Sequence, residues 1–243
     1  MHHPTSLVFT LVPGDLVTDD QLEACASLFS TNYGVWSLLV SAPLKPGARV
    51  KMVAARLRAQ CLSDPAHSML ALCTVDEAIV GHAFGTLSAY NGSDICWITQ
   101  LVVRHDYRER GIATGLLQLL PGPDFKCRAF GLASSHPAAC LALLKRTRAN
   151  ARKPDLDFIK THAQEIINTT NISYLKDIQL RGSLFQDAAK AGVVSSVFTK
   201  FYVDHEEPLQ AQKNWEDKQE MSWPLGVLAE GHEFFCIAPN KGI

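Results

Sequence analysis

The chain has 243 residues, of which 47% are hydrophobic and 19% charged, with a formal net charge of −1. This composition supports a sizeable buried core and excludes a disordered chain. The near-neutral balance excludes a global field that would draw nucleic acid or an anionic membrane surface, so any anion site has to be local.

In chain order, residues 7–11 form a short apolar run suited to a strand, closed by Pro13, Gly14 and Asp15. Asp19 and Asp20 precede Leu22, Ala24, Cys25, Leu28 and Phe29, whose spacing predicts a helix over 18–30. Tyr33, Gly34, Val35 and Trp36 interrupt before a loop with Pro43, Pro46 and Gly47; Val50, Val53, Ala54, Leu57 and Cys61 then predict a second helix ending near Leu62. Residues 68–75 and 78–89, divided by Asp76 and Glu77, read as a hairpin. Residues 95–103 are apolar almost throughout, the pattern of a strand buried on both faces.

A short apolar helix is expected over 111–120, stopped by Pro121, Gly122 and Pro123, followed by a weaker strand at 130–134 and a helix at 137–146 with proline in its first turn. Beyond Thr147 the chain turns more polar, with helices expected at 155–167 and 172–184. Two late strands are expected at 193–203 and 233–238, separated by a charged loop around 214–219. Length allows one large domain or two small ones; the order of elements favours one domain over 1–243, with a helical insertion at about 147–192.

No stretch approaches the ~20 apolar residues of a membrane span, and the first residues lack a basic flank before an apolar run, so a soluble cytoplasmic protein with no membrane partner is expected. The seven cysteines, Cys25, Cys61, Cys73, Cys96, Cys127, Cys140 and Cys236, are odd in number and scattered, without a C-x-x-C pair or a tight Cys/His cluster. This points away from a disulfide framework and from a metal. Sequons at Asn91, Asn168 and Asn171 have no secretory signal to give them meaning.

The informative stretch is 95–115, where an apolar strand enters a polar turn and a helix opens with Gly111, Ala113 and Gly115. A helix start leaves backbone N–H groups without internal partners and carries partial positive charge, so such a turn binds phosphate readily. Small residues let a pyrophosphate approach the main chain, and Arg108 and Arg110 are placed to neutralise it. On spacing alone, a plain strand-turn-helix with two solvated arginines is an equal reading.

The residues of this stretch resemble those of the GNAT acetyltransferases. The family carries an Arg/Gln-x-x-Gly-x-Gly/Ala signature after a central strand, and Arg108-Glu109-Arg110-Gly111-Ile112-Ala113 matches it at every fixed position. Leu101-Val102-Val103 is similar to the family's strand end, and the order of elements over 7–146 is similar too.

The resemblance implies a mixed α/β fold with a mostly antiparallel central sheet flanked by helices, the helical insertion preceding the last two strands. It implies acetyl-CoA as cosubstrate with no metal. The main chain of Leu101, Val102 and Val103 would pair with the pantetheine arm, and the amides of Glu109, Arg110, Gly111, Ile112, Ala113 and Thr114 would hold the pyrophosphate. His136, where the family often has asparagine, would touch the arm from the next helix or serve as an ordinary first-turn residue. An amide of Val102 or Val103 would polarise the thioester.

Transfer to an amine also needs the amine neutral and the departing thiolate protonated. Many family members use a tyrosine seven residues after the asparagine position as acid, where this chain has Leu143; some have a glutamate on the central strand, where this chain has Trp97, Thr99 and Gln100. Asp94 is the nearest carboxylate in sequence and is the candidate base, with a turn residue as the plainer reading. Tyr33, Trp36, Tyr90 and Trp97 are candidates for an acceptor wall, and His205, Glu206 and Glu207 could reach the same side. The expected activity is acetyl transfer to a small-molecule amine. Protein or peptide acetylation, or acyl-CoA binding without catalysis, stand as alternatives.

Overall fold

The computed structural model describes residues 6–123, 125–176, 178–185 and 191–242. Strand β1 (Val8–Pro13) leads into helix α1 (Asp19–Asn32). The Thr18 hydroxyl accepts from the Gln21 amide while the Gln21 side chain accepts from the Thr18 amide, a reciprocal cap that fixes where the helix starts. Helix α2 (Ala54–Cys61) begins later than the spacing from Val50 predicts. The Met52 amide donates to the Ser30 hydroxyl and the Met52 carbonyl accepts from it, so this backbone is spent on α1 rather than on a helical turn.

Strands β2 (Ser68–Val75), β3 (Ala78–Tyr90) and β4 (Ser93–Val103) form a meander. Its turns place Asp76 and Glu77, then Asn91 and Gly92, at positive φ, the geometry that two-residue hairpin turns require. Helix α3 (Ile112–Leu119), strand β5 (Cys127–Ser134) and helix α4 (Pro137–Arg146) follow as expected, β5 starting three residues before the predicted strand.

The last third departs further from expectation. Helix α5 (Leu156–Thr169) is present. Over 172–184 the described residues form no long helix: a single 3-10 turn (Ser173–Leu175) is followed by strand β6 (Gln179–Arg181) and a second turn (Ser183–Phe185). Pairing of β6 with β7 (Ser196–Phe198) overrides the local helical spacing. The strand expected over 193–203 shrinks to β7. The charged loop expected around 214–219 is the end of helix α6 (Glu206–Gln219). Among the α6 residues only Pro208 and Gln212 are buried, so no apolar stripe announces the helix; Glu206 and Glu207 at its positive end and Gln–Asn and Gln–Glu contacts four residues apart support it instead. Strand β8 (His232–Pro239) completes the set.

The strands make one sheet in the order β1-β2-β3-β4-β5-β8-β7-β6, antiparallel throughout except for the parallel pair β4 and β5. This is the mixed, mainly antiparallel α/β fold expected. Residues 147–192, expected as an insertion, include α5 and β6; 177 and 186–190 lie outside the described residues. Helix α3 packs on one face, where Gly81 and Gly85 of β3 leave room for Ile112, Leu116 and Leu120. Helices α1 and α2 cover the other face at Leu70, Leu72 and Phe84.

The feature that positions a site is the end of the parallel ladder. Pairs run from Asp94↔Cys127 to Trp97↔Gly131 and stop, although β4 continues to Val103 and β5 to Ser134. The two strands splay, and their facing edges are left without partners in the sheet. Beside the opening, β4 also carries an extra residue: Phe84 pairs with Gln100 and Gly85 with Ile98, so Thr99 faces nothing on β3.

Candidate active site

The turn after β4 has the features of an anion cradle. Gly111 caps α3 at φ 78°, a left-handed conformation that favours glycine, with no side-chain cap on the helix. A Cβ built there would meet nothing within 4 Å, so the turn opens to solvent. Within α3 the Gly115 amide bonds to Gly111 O at 2.9 Å; the amides before it lie in the turn that a helix leaves unsatisfied. Glu109, at φ 62°, Arg110 and Gly111 are exposed, whereas the Ile112 side chain is buried. Leu101 and Val103 keep partial exposure at the splay, and Val102 is buried against Leu28 and Phe29.

The two arginines serve differently from the expected pair. Arg110 lies over the Tyr107 ring at 4.9 Å. Arg108 donates to Asn32 O at 2.7 Å, to Val103 O at 3.3 Å and to the Glu207 carboxylate, so its guanidinium ties β4 to α1 and α6. Glu207 Oε1 also stands 3.6 Å from His136 Nε2. The neighbouring His136 ring and the Arg108 charge hold the Glu207 carboxyl below its ordinary pKa, although burial opposes them. His136 is the N-cap of α4: its Nδ1 accepts from the Ala138 amide at 3.2 Å. One carboxylate thus reaches from the β4 side of the splay to the α4 side. Of His205, Glu206 and Glu207, it is Glu207 that comes to the opening.

The other expected residues divide into two groups. Tyr33 and Trp36 lie near one another: Tyr33 stacks on Phe29 at 4.3 Å, and Trp36 meets Phe201 edge-on at 5.3 Å. Their loop is fastened to residues 202–204 by the Trp36↔Val203 bridge, Ser37 N to Tyr202 O, and Asp204 N to Val35 O. Asp94 and Tyr90 lie at the far, closed end of the β4 ladder, where Asp94 faces Cys127 and Tyr90 packs on Phe158 and His162. At ~3.3 Å per residue, Asp94 is about 16 Å along the strand from Thr99, too far to receive a proton at the splay. The structure therefore does not bring Asp94 or Tyr90 to the site. Leu143 is wholly buried core, and Gln100 Oε1 is bound to His82 Nε2 at 2.7 Å. Burial pushes His82 down to about 4, which keeps it neutral, and because an amide oxygen only accepts, Nε2 carries the proton and donates.

Two residues unread in the sequence do come to the splay. Tyr174, from the insertion, accepts from Trp97 Nε1 at 2.8 Å and donates to Thr99 O at 3.5 Å. Trp97 is therefore a packed wedge holding Tyr174, not an open wall. The Thr99 hydroxyl is buried without a hydrogen-bond partner among the described residues. Glu233, next along β8 from the Phe234 that pairs with the end of β5, is the second. Neither lies in a motif.

Known proteins resemble part of this chain. Residues 33–121 match the model of the Acetyltransferase (GNAT) family. The match covers that stretch alone. It runs from Tyr33 through the meander and the Gly111 turn to the end of α3. No curated protein matches the chain. Among solved structures, similarity is found to the NatC complex bound to Gag peptide and CoA (17% identity, 57% of this chain and 81% of that chain, TM-score 0.38). It extends to the ribosomal-protein-S18-alanine N-acetyltransferase from Escherichia coli (13%, 57% and 75%, TM-score 0.38) and to an aminoglycoside acetyltransferase from an uncultured soil metagenomic sample (19%, 47% and 69%, TM-score 0.34). All three are distant from this chain, and the acceptors that their names give differ. Among the described residues no group of His, Cys, Asp and Glu could hold a metal ion, and no helix is long and apolar enough to cross a membrane.

Proposed function

We propose that the chain transfers an acetyl group from acetyl-CoA directly to the amine of a small molecule. The observation that carries the reading is the splay: two strands that part after Trp97 and Gly131, directly beside an uncapped helix start at Gly111. The freed edge of β4 at Leu101 to Val103 offers main-chain groups to an amide-containing arm, and the amides at 109–114 offer donors to a pyrophosphate. When bound, acetyl-CoA supplies the activated acyl group. The protein's share is to hold it, to polarise the carbonyl through a β4 amide, and to manage the amine's protons. A small acceptor is favoured over a peptide because the loop carrying Tyr33 and Trp36 is pinned to residues 202–204, which narrows the approach.

The deciding experiment follows free thiol release from acetyl-CoA with a panel of primary amines and, in parallel, lysine and N-terminal peptides. Turnover on small amines alone supports the reading; turnover confined to peptides replaces the acceptor, and CoA binding without turnover on any acceptor removes catalysis. A second expectation concerns Glu207. Its carboxylate holds Arg108 and stands at the opening, so an arriving phosphate has to displace it. The pair is half exposed at Glu207, and such pairs contribute up to about 1 kcal/mol. Glu207→Gln is expected to tighten the calorimetric Kd for CoA about threefold to fivefold. An unchanged Kd would place the anion elsewhere.

A further inference from the structure

Strand β8 runs antiparallel to β5, and its register locates Glu233. Leu132, Ala133 and Ser134, the β5 residues that continue past the last rung with β4, pair with Cys236, Phe235 and Phe234. Glu233 comes next, at the wide end of the splay. Side chains alternate along a strand, so Glu233 shares a face with Phe235 and Ile237. That is the Trp97 face: Phe235 lies 5.5 Å from the Trp97 ring, and Trp97 and Ile237 both crowd the Gly131 position. The Tyr174 hydroxyl that caps Trp97 is within reach of the Glu233 charge, as is Tyr33 at the end of α1. Glu233 keeps partial exposure at this end of β8.

We propose that Glu233 accepts the proton of the acceptor's ammonium group, and that the site takes primary aliphatic amines, which arrive charged. The proposal rests on the acetyl-transfer reading above and adds to it the acceptor's chemistry and the residue that activates it. One proton passes from the ammonium nitrogen to the carboxylate, giving a carboxylic acid and a neutral amine. The nitrogen lone pair forms the C–N bond, the C–S bond breaks with its electrons going to sulfur, and the second nitrogen proton ends on the departing thiol. Glu233 then returns its proton to solvent, so that one ammonium and one thioester give one amide, one thiol and one proton.

The surroundings suit a base that works near neutrality. Burial pushes the Glu233 carboxyl up to about 7, opposed by a hydrogen bond from Thr199. Among the described residues, Tyr33 from α1, Tyr174 and Cys140 from α4 feel its charge, and none of the three carries positive charge. An incoming ammonium would meet this carboxylate as a counter-charge. The aromatic rings of Tyr33 and Trp36 nearby are compatible with a cationic guest.

The test compares the whole protein with its Glu233→Gln variant. For a charged alkylamine, wild-type kcat/KM is expected to rise with pH through about 7, and the variant to lose about 100-fold or more together with that limb. With an arylamine, already neutral at pH 7, the loss is expected to shrink below about tenfold. Two readouts do not depend on turnover. The Kd for CoA is expected to be unchanged. The pH dependence of Tm also has a definite sign. A carboxyl raised in the folded state contributes stability below its unfolded value of 4.5, and that contribution is lost as pH rises through about 7. At pH 8 the variant, free of the buried charge, should melt no lower than wild type, and the difference should close near pH 4.5. Equal losses for both amines, or a variant that keeps the wild-type rate and limb, overturn the role of Glu233 while leaving acetyl transfer standing. A wild type that binds CoA and acetylates no amine overturns both.

Discussion

Gly111→Asp is expected to raise the Kd for CoA by about 100-fold while leaving the fold intact. Gly111 sits at φ 78° with open space where its Cβ would be, so the new side chain meets no steric obstacle. Aspartate also tolerates the left-handed region better than most residues, and the conformational cost is about 1 kcal/mol. What changes is charge. A carboxylate about 5 Å from one phosphate charge is repelled by about 3 kcal/mol at an effective dielectric constant near 20, which corresponds to more than two decades in affinity. Gly111→Asn is the control: it has the same shape and the same backbone tolerance without the charge, and it is expected to lose less than about tenfold. Calorimetry at low and at high salt separates the two, since the aspartate effect should fall as ionic strength rises. If neither variant changes the Kd, the anion does not bind at this turn.

How much of this was legible beforehand follows the reach of the interactions. The meander and the helices through Arg146 were readable because apolar spacing, Asn91-Gly92 and Pro137 act locally. The Gly111 turn was readable for the same reason. The candidate side chains were not, since they meet across the sheet: Asp94 looked near the site along the chain, yet the strand carries it to the closed end of the ladder. Tyr174 and Glu233 lie 75 or more residues beyond Trp97 and reach the splay only through the insertion and the register of β8. Glu233 did leave a faint signal, a lone carboxylate at the start of an apolar strand. Helix α6 was missed for a different reason. It is held by its caps and polar contacts, so a search for an apolar face passes over it.

The splay itself can be tested through Gly131. Its Cβ would lie 2.4 Å from two carbons of the Trp97 ring and 2.9 Å from the Ile237 side chain. Neither neighbour has room to yield. Trp97 is 1% exposed, packed on Phe235, and its indole N–H is held by the Tyr174 hydroxyl. Two effects of Gly131→Ala oppose each other. Restricting the unfolded chain favours the variant by about 0.4–1 kcal/mol, whereas overpacking a filled core costs about 1–3 kcal/mol. Overpacking should win, lowering Tm by about 2–4 °C for each net kcal/mol in a protein of this size. Because Trp97 is the last rung before the strands part, the same push displaces Tyr174, so kcat should fall more than thermal stability alone accounts for. Trp97→Phe in the Gly131→Ala background removes the clashing ring edge, and the pair should be less destabilised than the sum of the single changes. Strict additivity would mean that the indole does not sit against Gly131 and that something other than this contact sets where β4 and β5 separate.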